Sequence, residues 1–235
     1  MKVIILAGGF GTRLGEVTEK IPKPMVPIGD KPILMHIMEL FASYGHDEFY
    51  IATGYKEKII RDYFSSKSTN WNVNVIDTGL ETMTGGRVKK ISNYIKNEKC
   101  FLTYGDGLSN INLDLLLDFH NKNKKIATIS AVRPPARFGE LYLDGDTVIS
   151  FKEKPQLQKG WINGGFFVLE PDFFDYIDHD EVMLEREPIN AITEKKQLVA
   201  YKHEGFWQCM DTRRDWELLQ SLYSKGSAPW KKNET

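Results

Sequence analysis

The chain has 235 residues, of which 27% are charged and 41% hydrophobic, and its formal net charge is −1. This balance provides no general attraction to nucleic acid or to an anionic membrane, and no apolar run approaches the roughly 20 residues of a membrane span. The two cysteines, Cys100 and Cys209, form no CxxC pair, and the five histidines are scattered, which argues against a Cys/His metal site. We therefore expect a cytoplasmic protein with neither nucleic acid nor membrane as a partner, and we place Cys100 in the core.

Apolar runs of strand length alternate with helical patterns in the first half of the chain. In chain order they are a strand in VIILA, a helix in KPILMHIMELFASYG, a strand in EFYIATGY, a helix in KEKIIRDYF, a strand in NVNVIDTG, a helix in GGRVKKISNYIK, a strand in CFLTYGDG, a helix in LDLLLDFHNKN and a strand in IATISAV. In the first of these helices, Asp30 is the expected N-cap, Pro32 fits the first turn, and Gly45 can end the helix. This order predicts an α/β fold with a Rossmann-like, mostly parallel mixed sheet and helices on both faces.

The second half of the chain changes pattern after about residue 133. ELYLDGDTVISFKEK alternates around an Asp-Gly-Asp turn and predicts a hairpin, INGGFFVLE and LVAYKHEGFWQCMD predict further strands, and TRRDWELLQSLYSKG predicts a C-terminal helix. No linker or repeat interrupts the sequence. We expect a single domain over 1–235, in which a small β-rich region within 133–235 completes a site on the half formed by 1–132.

A glycine-rich turn, LAGGFGTRL, follows the first predicted strand. Exposed backbone amides in such a turn favour an anion, although a tight turn without a ligand has the same composition. The turn lacks the GxxxxGK[ST] pattern of a Walker A loop, and Leu14 stands where a dinucleotide fingerprint has its third glycine. Arg13, directly after the glycines, and Lys23, between two prolines, add positive charge that suits a more highly charged phosphate group than a pyrophosphate diester. Lys23 by itself is equally compatible with a solvated surface cation.

Two aspartates are candidate metal ligands. Right-handed crossovers place the carboxyl ends of parallel strands along one edge, where open α/β sheets bind ligands, so the glycine turn and the GDG of 105–107 should both lie there. Asp106 is flanked by glycines in that GDG, and its alternative is an ordinary turn aspartate. Asp211 lies in CMDT, where its alternative is the N-cap of the following helix. Sequence spacing alone does not bring the two together.

These motifs carry a resemblance to a known family. LAGGFGTRL followed by PKPMVPIGDKPIL resembles the signature of the sugar-1-phosphate nucleotidylyltransferases. VIDTGLETMTGGRVKK, FLTYGDG, RFGEL, FKEKP, INGGFFVLEP, GFWQCMDTRRD and GSAPWK are similar to its glucose-1-phosphate cytidylyltransferase branch, in the same order over nearly the whole chain. One departure is the short segment before Asp77, where that branch has a longer insertion that contributes to oligomer contacts and to part of the substrate lid.

The resemblance implies an Mg²⁺-dependent reaction in which a phosphate-monoester oxygen attacks the α-phosphorus of CTP and releases pyrophosphate. No protein nucleophile is required, because the task is to align and neutralise two anions. The implied product is a CDP-sugar, with glucose 1-phosphate as the expected acceptor, and the family's habit suggests a homo-oligomer. The region 1–132 then binds the nucleotide, and 133–235 binds the acceptor.

The resemblance also assigns residue roles. The implied catalytic residues are Arg13, Lys23 and Asp106, and the implied metal ligands are Asp106 and Asp211. The nucleotide would be bound by Leu6, Ala7, Gly8, Gly9, Gly11, Thr12, Arg13, Lys23, Gly85, Arg87 and Asp106. The acceptor would be bound by Tyr104, Gly139, Glu153, Lys154, Asn163 and Gly164. Three of these have simpler explanations: Arg87 as a helix-surface cation, Lys154 as an exposed hairpin lysine, and Glu153 as the partner of a nearby lysine. Trp207 fits the core as well as the site.

Several alternatives remain at this stage. The acceptor could be another sugar phosphate, or a non-sugar phosphate from surface-polysaccharide biosynthesis, and the nucleotide could be dTTP, UTP or GTP. A nucleotide sensor without turnover would be expected to lack a metal carboxylate or a catalytic lysine, yet all of them are present. A nicotinamide oxidoreductase is disfavoured by the missing third glycine.

Overall fold

The computed structural model describes residues 1–11, 14–95, 97–134, 140–152 and 160–231. The strands are β1 (Lys2–Leu6), β2 (Pro27–Ile28), β3 (Lys31–Pro32), β4 (Glu48–Thr53), β5 (Asn72–Asp77), β6 (Cys100–Tyr104), β7 (Gly107–Ser109), β8 (Ala127–Val132), β9 (Glu140–Asp144), β10 (Thr147–Lys152), β11 (Ile162–Leu169), β12 (Leu198–His203) and β13 (Trp207–Cys209). The helices are α1 (Glu16–Lys20), α2 (Ile33–Ala42), α3 (Glu57–Ser66), α4 (Thr84–Ile95), α5 (Leu113–Asn123), α6 (Glu187–Glu194) and α7 (Arg213–Ser224). Short 3₁₀ helices span Lys23–Met25 and Pro171–Tyr176.

Seven strands form the main sheet in the order β12-β8-β11-β6-β1-β4-β5. All neighbouring pairs are parallel except those of β11, which runs antiparallel to both β6 and β8. Strands β11 and β12, from the second half of the chain, join the sheet formed by the first half, so the second half contributes more than a separate β-rich region. The predicted mostly parallel mixed sheet is confirmed.

The sheet has a hydrophobic core on each face because its central strand is apolar throughout. Along β1, Val3 and Ile5 face one core, whereas Ile4 and Leu6 face the other, as the alternation of a strand requires. Helices α2, α3, α5 and α7 contribute to the first core, and α4 and α6 to the second. The prediction of helices on both faces is confirmed, and Cys100 is a fully buried residue of the second core.

Local details differ from the sequence expectations at the start of α2. The helix begins at Ile33, and its N-cap is Pro32, which makes no side-chain capping bond. Asp30 was the wrong cap: its Oδ1 instead accepts a hydrogen bond of 2.5 Å from the Tyr223 hydroxyl, which lies on α7. The predicted hairpin is confirmed as β9 and β10, while α6 and the three-residue strand β7 were not anticipated. None of the helices in the described residues is long and apolar enough to cross a membrane.

Candidate active site

A cavity of about 460 Å³ opens at the carboxyl edge of the sheet. One wall is the glycine turn Gly8–Gly11, which follows β1, and another is the segment Leu80–Thr84, which follows β5. Lys23, Asp106 and Asp211 also line the cavity. The structure therefore brings the glycine turn and the GDG together at the edge where open α/β sheets bind ligands.

The ammonium group of Lys23 joins the two candidate metal ligands. Lys23 Nζ lies 2.6 Å from Asp106 Oδ2 and 2.6 Å from Asp211 Oδ1. Burial by itself lowers the pKa of Lys23, but the two carboxylates, Asp106 foremost, raise that pKa above its usual value. The interpretation of Lys23 as a solvated surface cation is wrong, since its side chain is only 12% exposed and is paired with both acids.

The pairing of β7 with β13 brings these aspartates together although they are far apart in the sequence. Asp106 precedes β7 and Asp211 follows β13, and the antiparallel register sets Gly107 opposite Cys209. The Met210 amide donates to the Asp106 carbonyl at 2.8 Å, which closes the end of this ladder. Because β7 has only three residues, the apolar pattern of the sequence does not reveal it.

Asp211 is not the N-cap of the last helix. Thr212 caps α7, and its hydroxyl and amide form a capping box with Asp215. The Asp211 amide also donates to Asp215 Oδ2 at 3.2 Å, so the helix cap holds the Asp211 backbone while its carboxylate faces Lys23. The N-cap alternative for Asp211 is therefore wrong.

The conformation of the glycine turn has two separate causes. Gly11 has φ +65°, and a Cβ there would lie 2.9 Å from the Lys23 Cβ, so only glycine permits this approach of the turn to Lys23. Gly9 has open space around it. At Gly8 a Cβ would overlap the Arg87 guanidinium, so this glycine makes room for a protein side chain.

Arg87 is buried, at 4% exposure, and is one of the residues that line the cavity. Its Nη1 donates to Thr53 O, Thr78 Oγ1 and Gly79 O at 2.6–2.8 Å, and its Nη2 donates to Gly8 O and Leu80 O at 3.1–3.2 Å. Desolvation lowers the pKa of Arg87. The alternative of a helix-surface cation is wrong, because the guanidinium is enclosed by backbone. A direct contact of Arg87 with the nucleotide stays a prediction.

Three other predicted nucleotide-binding residues are engaged by protein groups. Leu6 O accepts from the Gly105 amide, and the Ala7 amide donates to Ala52 O, each at 2.9 Å. Gly85 lies beneath Val182, whose carbonyl would be 2.7 Å from an added Cβ. The close approach at Gly85 is thus to protein backbone, whereas the resemblance implies that Gly85 binds the nucleotide.

The predicted acceptor residues Tyr104, Asn163 and Gly164 lie at neighbouring positions of β6 and β11. Asn163 Nδ2 donates to the Tyr104 hydroxyl at 3.3 Å, and that hydroxyl donates to Glu185 Oε1 at 2.6 Å. Burial and the Glu185 carboxylate raise the pKa of Tyr104. Gly164 packs tightly against β8, and its carbonyl accepts from Trp207 Nε1 at 2.7 Å, which gives Trp207 a structural role.

Glu185 is a residue of this region that the sequence reasoning missed. Its second carboxylate oxygen accepts from Thr84 Oγ1 at 2.7 Å, so Glu185 links the cavity wall to Tyr104. It lies in the irregular segment before α6, where no periodic pattern singles out one acid.

The remaining predicted site residues lie outside the described residues; they are Thr12, Arg13, Gly139, Glu153 and Lys154. Within the described part of the chain, no group of three or more His, Cys, Asp or Glu side chains could hold a metal ion. The Asp106–Asp211 pair still suits Mg²⁺, which binds through one or two carboxylates plus substrate phosphates and water.

The chain is similar to several known proteins. The family model for nucleotidyl transferases matches residues 2–217. The glucose-1-phosphate cytidylyltransferase of Salmonella typhi is 44% identical over 254 residues, which covers 98% of this chain and 99% of that protein. The probable glucose-1-phosphate cytidylyltransferase of Bacillus subtilis (strain 168) is 38% identical, with the same two coverages. HddC from Yersinia pseudotuberculosis, solved in complex with GMP-PN, has a TM-score of 0.75 at 28% identity, over 94% of this chain and 99% of that one.

The alignment with the Salmonella typhi protein is longer than this chain, at 254 residues against 235. That protein therefore contains residues that this chain lacks. In the structure, α3 and β5 are joined by residues 67–71 alone. The location of the missing residues before Asp77 stays a prediction.

Proposed function

The chain belongs to the nucleotidyl transferase family, and on that basis we propose that it transfers a cytidylyl group from CTP to a sugar 1-phosphate. Glucose 1-phosphate is the proposed acceptor, because two relatives of nearly the same extent are named for it. The products are CDP-glucose and pyrophosphate.

The observation that carries the proposal is the contact of Lys23 Nζ with both Asp106 and Asp211 at the cavity. One cation lies between two carboxylates, and all three side chains line the cavity. In the proposed reaction, an oxygen of the acceptor phosphate forms a bond to the α-phosphorus of CTP. The bond from that phosphorus to the bridging oxygen breaks, and pyrophosphate leaves with the electron pair.

The two aspartates fit a divalent metal ion, since both direct an oxygen at one cation in this structure. Asp106 and Asp211 would hold Mg²⁺, which would neutralise phosphate charge when bound. Lys23 would contact the α-phosphate, and the amides of the glycine turn would bind the phosphates. Arg13 would stabilise the leaving pyrophosphate, and Lys154 the incoming phosphate, as the resemblance implies. The sugar ring would be bound by Glu153, Asn163, Gly139 and Gly164, as the same resemblance implies.

The proposal is tested by measuring pyrophosphate release with each of CTP, UTP, dTTP and GTP against glucose 1-phosphate, mannose 1-phosphate and a non-sugar phosphate. We expect release with CTP and glucose 1-phosphate. GTP is a necessary arm because the similar HddC structure contains GMP-PN. Tight nucleotide binding without release in any combination would favour a nucleotide sensor.

The metal role of Asp106 gives a direct prediction. Replacing Asp106 with Asn should lower turnover about 100-fold or more, as the loss of a preorganised electrostatic group commonly does. The matched control is Asp118→Asn, which alters an exposed aspartate on α5. Near-normal pyrophosphate release by Asp106→Asn at saturating Mg²⁺ would contradict the assignment.

A further inference from the structure

Another cavity, of about 640 Å³, lies at the amino edge of the main sheet, away from the edge that holds the glycine turn. Lys99, Ile126 and Gln197 line it directly before β6, β8 and β12, and Glu170 lines it directly after the antiparallel strand β11. The strand order β12-β8-β11-β6 makes these four segments neighbours. The Glu170 amide donates to Ile126 O at 2.9 Å, and the Ala127 amide donates to Gln197 O at 3.1 Å, so backbone bonds tie the segments to one another.

Positive charge predominates around this cavity. Among the described residues, its lining contains four lysines and two acids, namely Lys99, Lys124, Lys125, Lys195, Glu170 and Asp172. His120 also lines the cavity, but burial lowers its pKa, so the imidazole is neutral near pH 7 and adds no charge. The lining therefore carries a net excess of two positive charges, contributed by three separate turns of the chain.

Two of the ammonium groups are held in place by neighbouring side chains. Lys99 Nζ lies 2.8 Å from Glu170 Oε1 and donates to Asn121 Oδ1 at 2.6 Å. Lys195 Nζ donates to the Tyr176 hydroxyl at 3.2 Å and lies 4.7 Å from the centre of that ring. Each ammonium has three N–H donors, so these contacts leave donors for a ligand. Because the cations are already ordered, binding an anion costs less side-chain entropy.

Lys124 occupies a backbone position that favours glycine. It caps the C-terminus of α5 with φ 50°, and its amide donates to His120 O at 3.0 Å. Glycine is the usual residue at such a left-handed helix end, because other L-residues are strained there. The chain has instead a lysine whose side chain lines the cavity. This strained position is a second observation that points to a role for the charge.

We propose that this cavity is a binding site for a small molecule that carries two or more phosphate charges, separate from the proposed reaction at the carboxyl edge. Lysine ammonium groups bind phosphate as point charges, and those of this cavity come from turns on different sides of it. A small ligand is favoured over an extended polyanion or an anionic membrane, because an acidic groove adjoins the cavity and would repel a longer anion. That groove is lined by Asp172, Asp175, Asp178 and Glu187.

The proposal is tested by titrating the full chain with inorganic pyrophosphate, without Mg²⁺, and following the backbone amides by two-dimensional NMR. We expect saturable shifts of the amide signals of Ile126 and Gln197. Pyrophosphate can also enter the cavity at the carboxyl edge, so the amides of Gly9 and Gly11 report that site separately. Absence of saturable shifts at Ile126 and Gln197 would overturn the proposal, whether or not the glycine turn responds.

Lys124→Gly separates the charge of this residue from its effect on the fold. It should weaken pyrophosphate binding at this cavity about fivefold, the effect of removing one unit charge at about 4 Å in water. The urea midpoint should be unchanged or higher, because glycine relieves the left-handed backbone. The matched control is Lys122→Gln, at an exposed lysine of α5 outside the lining of the cavity. Equal pyrophosphate affinities for Lys124→Gly and the wild type would contradict the proposal.

A sedimentation experiment distinguishes the small ligand from a membrane surface. We expect the wild-type chain to stay in solution with vesicles of phosphatidylglycerol, as it does with control vesicles of phosphatidylcholine. Sedimentation with phosphatidylglycerol that is lost in Lys124→Gly, together with no response to pyrophosphate at Ile126 and Gln197, would assign these lysines to a membrane surface and overturn the proposal.

Discussion

At the scale of single residues, Lys23 is the clearest case in which position determines chemistry. Pro22 and Pro24 flank it in the sequence, and in the structure it begins a 3₁₀ turn that directs its ammonium at two aspartates. The ammonium thus lies between the carboxylates proposed to hold the metal. Lys23 therefore stabilises this acidic pair and, on the proposed function, would compete with a divalent ion for it.

We predict that Lys23→Met binds Mn²⁺ more tightly than the wild type in the absence of nucleotide, although its turnover falls. Removing a cation in contact with both carboxylates should raise Mn²⁺ affinity about tenfold, because like charges at this distance repel. Calorimetric titration with Mn²⁺ measures the change. Lys31→Met is the control, since Lys31 pairs with Glu39 instead. Weaker Mn²⁺ binding by Lys23→Met would refute the competition.

At the scale of elements, the start of α4 is fixed by a segment that is distant in sequence. The amides of Met83 and Gly85 donate to the carbonyls of Asp180 and Val182, each at 2.9 Å. The helix therefore satisfies amides at its N-terminus with backbone from the region before α6. This contact explains both glycines of the TGGR motif, because an added Cβ at Gly86 would also overlap the Asp180 carbonyl.

The contact predicts a loss of stability in Gly86→Ala. The new Cβ meets backbone, which moves less readily than a side chain, so the free energy of unfolding should fall by about 1–3 kcal/mol. Urea denaturation followed by circular dichroism measures the loss. Gly9→Ala is the control, since Gly9 has open space and no positive φ. Equal midpoints for the two variants would contradict the packing argument.

At the scale of the whole molecule, the segment after α7 packs back against helix α2 in the first half of the chain. Trp230 is 4% exposed, and its Nε1 donates to His36 Nδ1 at 3.3 Å, while the other ring nitrogen of His36 bonds Ile28 O at 2.8 Å. These bonds require a neutral His36. Burial is the leading cause that lowers the pKa of His36, and the same holds for His46, His120 and His203.

These histidines make the fold sensitive to acid. Because their folded pKa values lie below the unfolded value of about 6.5, the unfolded chain binds more protons as the pH falls through that value. The contribution of the neutral histidines to the free energy of unfolding is therefore present above pH 6.5 and lost below it. We expect the urea midpoint to be lower at pH 5.5 than at pH 7.5. In His36→Gln the difference between the two midpoints should be smaller. The control is His179→Gln, at an exposed site; a midpoint that is unchanged or higher at pH 5.5 would contradict the prediction.

Most of the fold could be predicted from the sequence because its signals are local. The apolar run at residues 3–7 and the helical spacing in α2 directly reflect the burial of a strand on two faces and of a helix on one. Strand β7 was missed because three residues are too few to show an alternating apolar pattern. Helix α6 was missed because it is short and follows an irregular segment, so no helical spacing of apolar residues marks its start. Asp30 failed as a cap because the helix begins at Ile33, with Pro32 at the N-cap position.

The sequence by itself determined the alternation of strands and helices, the sheet edge at which the glycine turn and the GDG lie, and the motifs that resemble one enzyme family. Only the tertiary structure decided which of those motif residues meet. The β7–β13 pairing joins Asp106 and Asp211, and Arg87 turns inward to bond the ends of three strands. The physical reason is that the spacing of apolar residues reports only which face of a local element is buried. Contacts between distant segments depend on the order of the strands and on backbone hydrogen bonds. Because every residue type has the same backbone groups, the sequence pattern does not reveal these contacts.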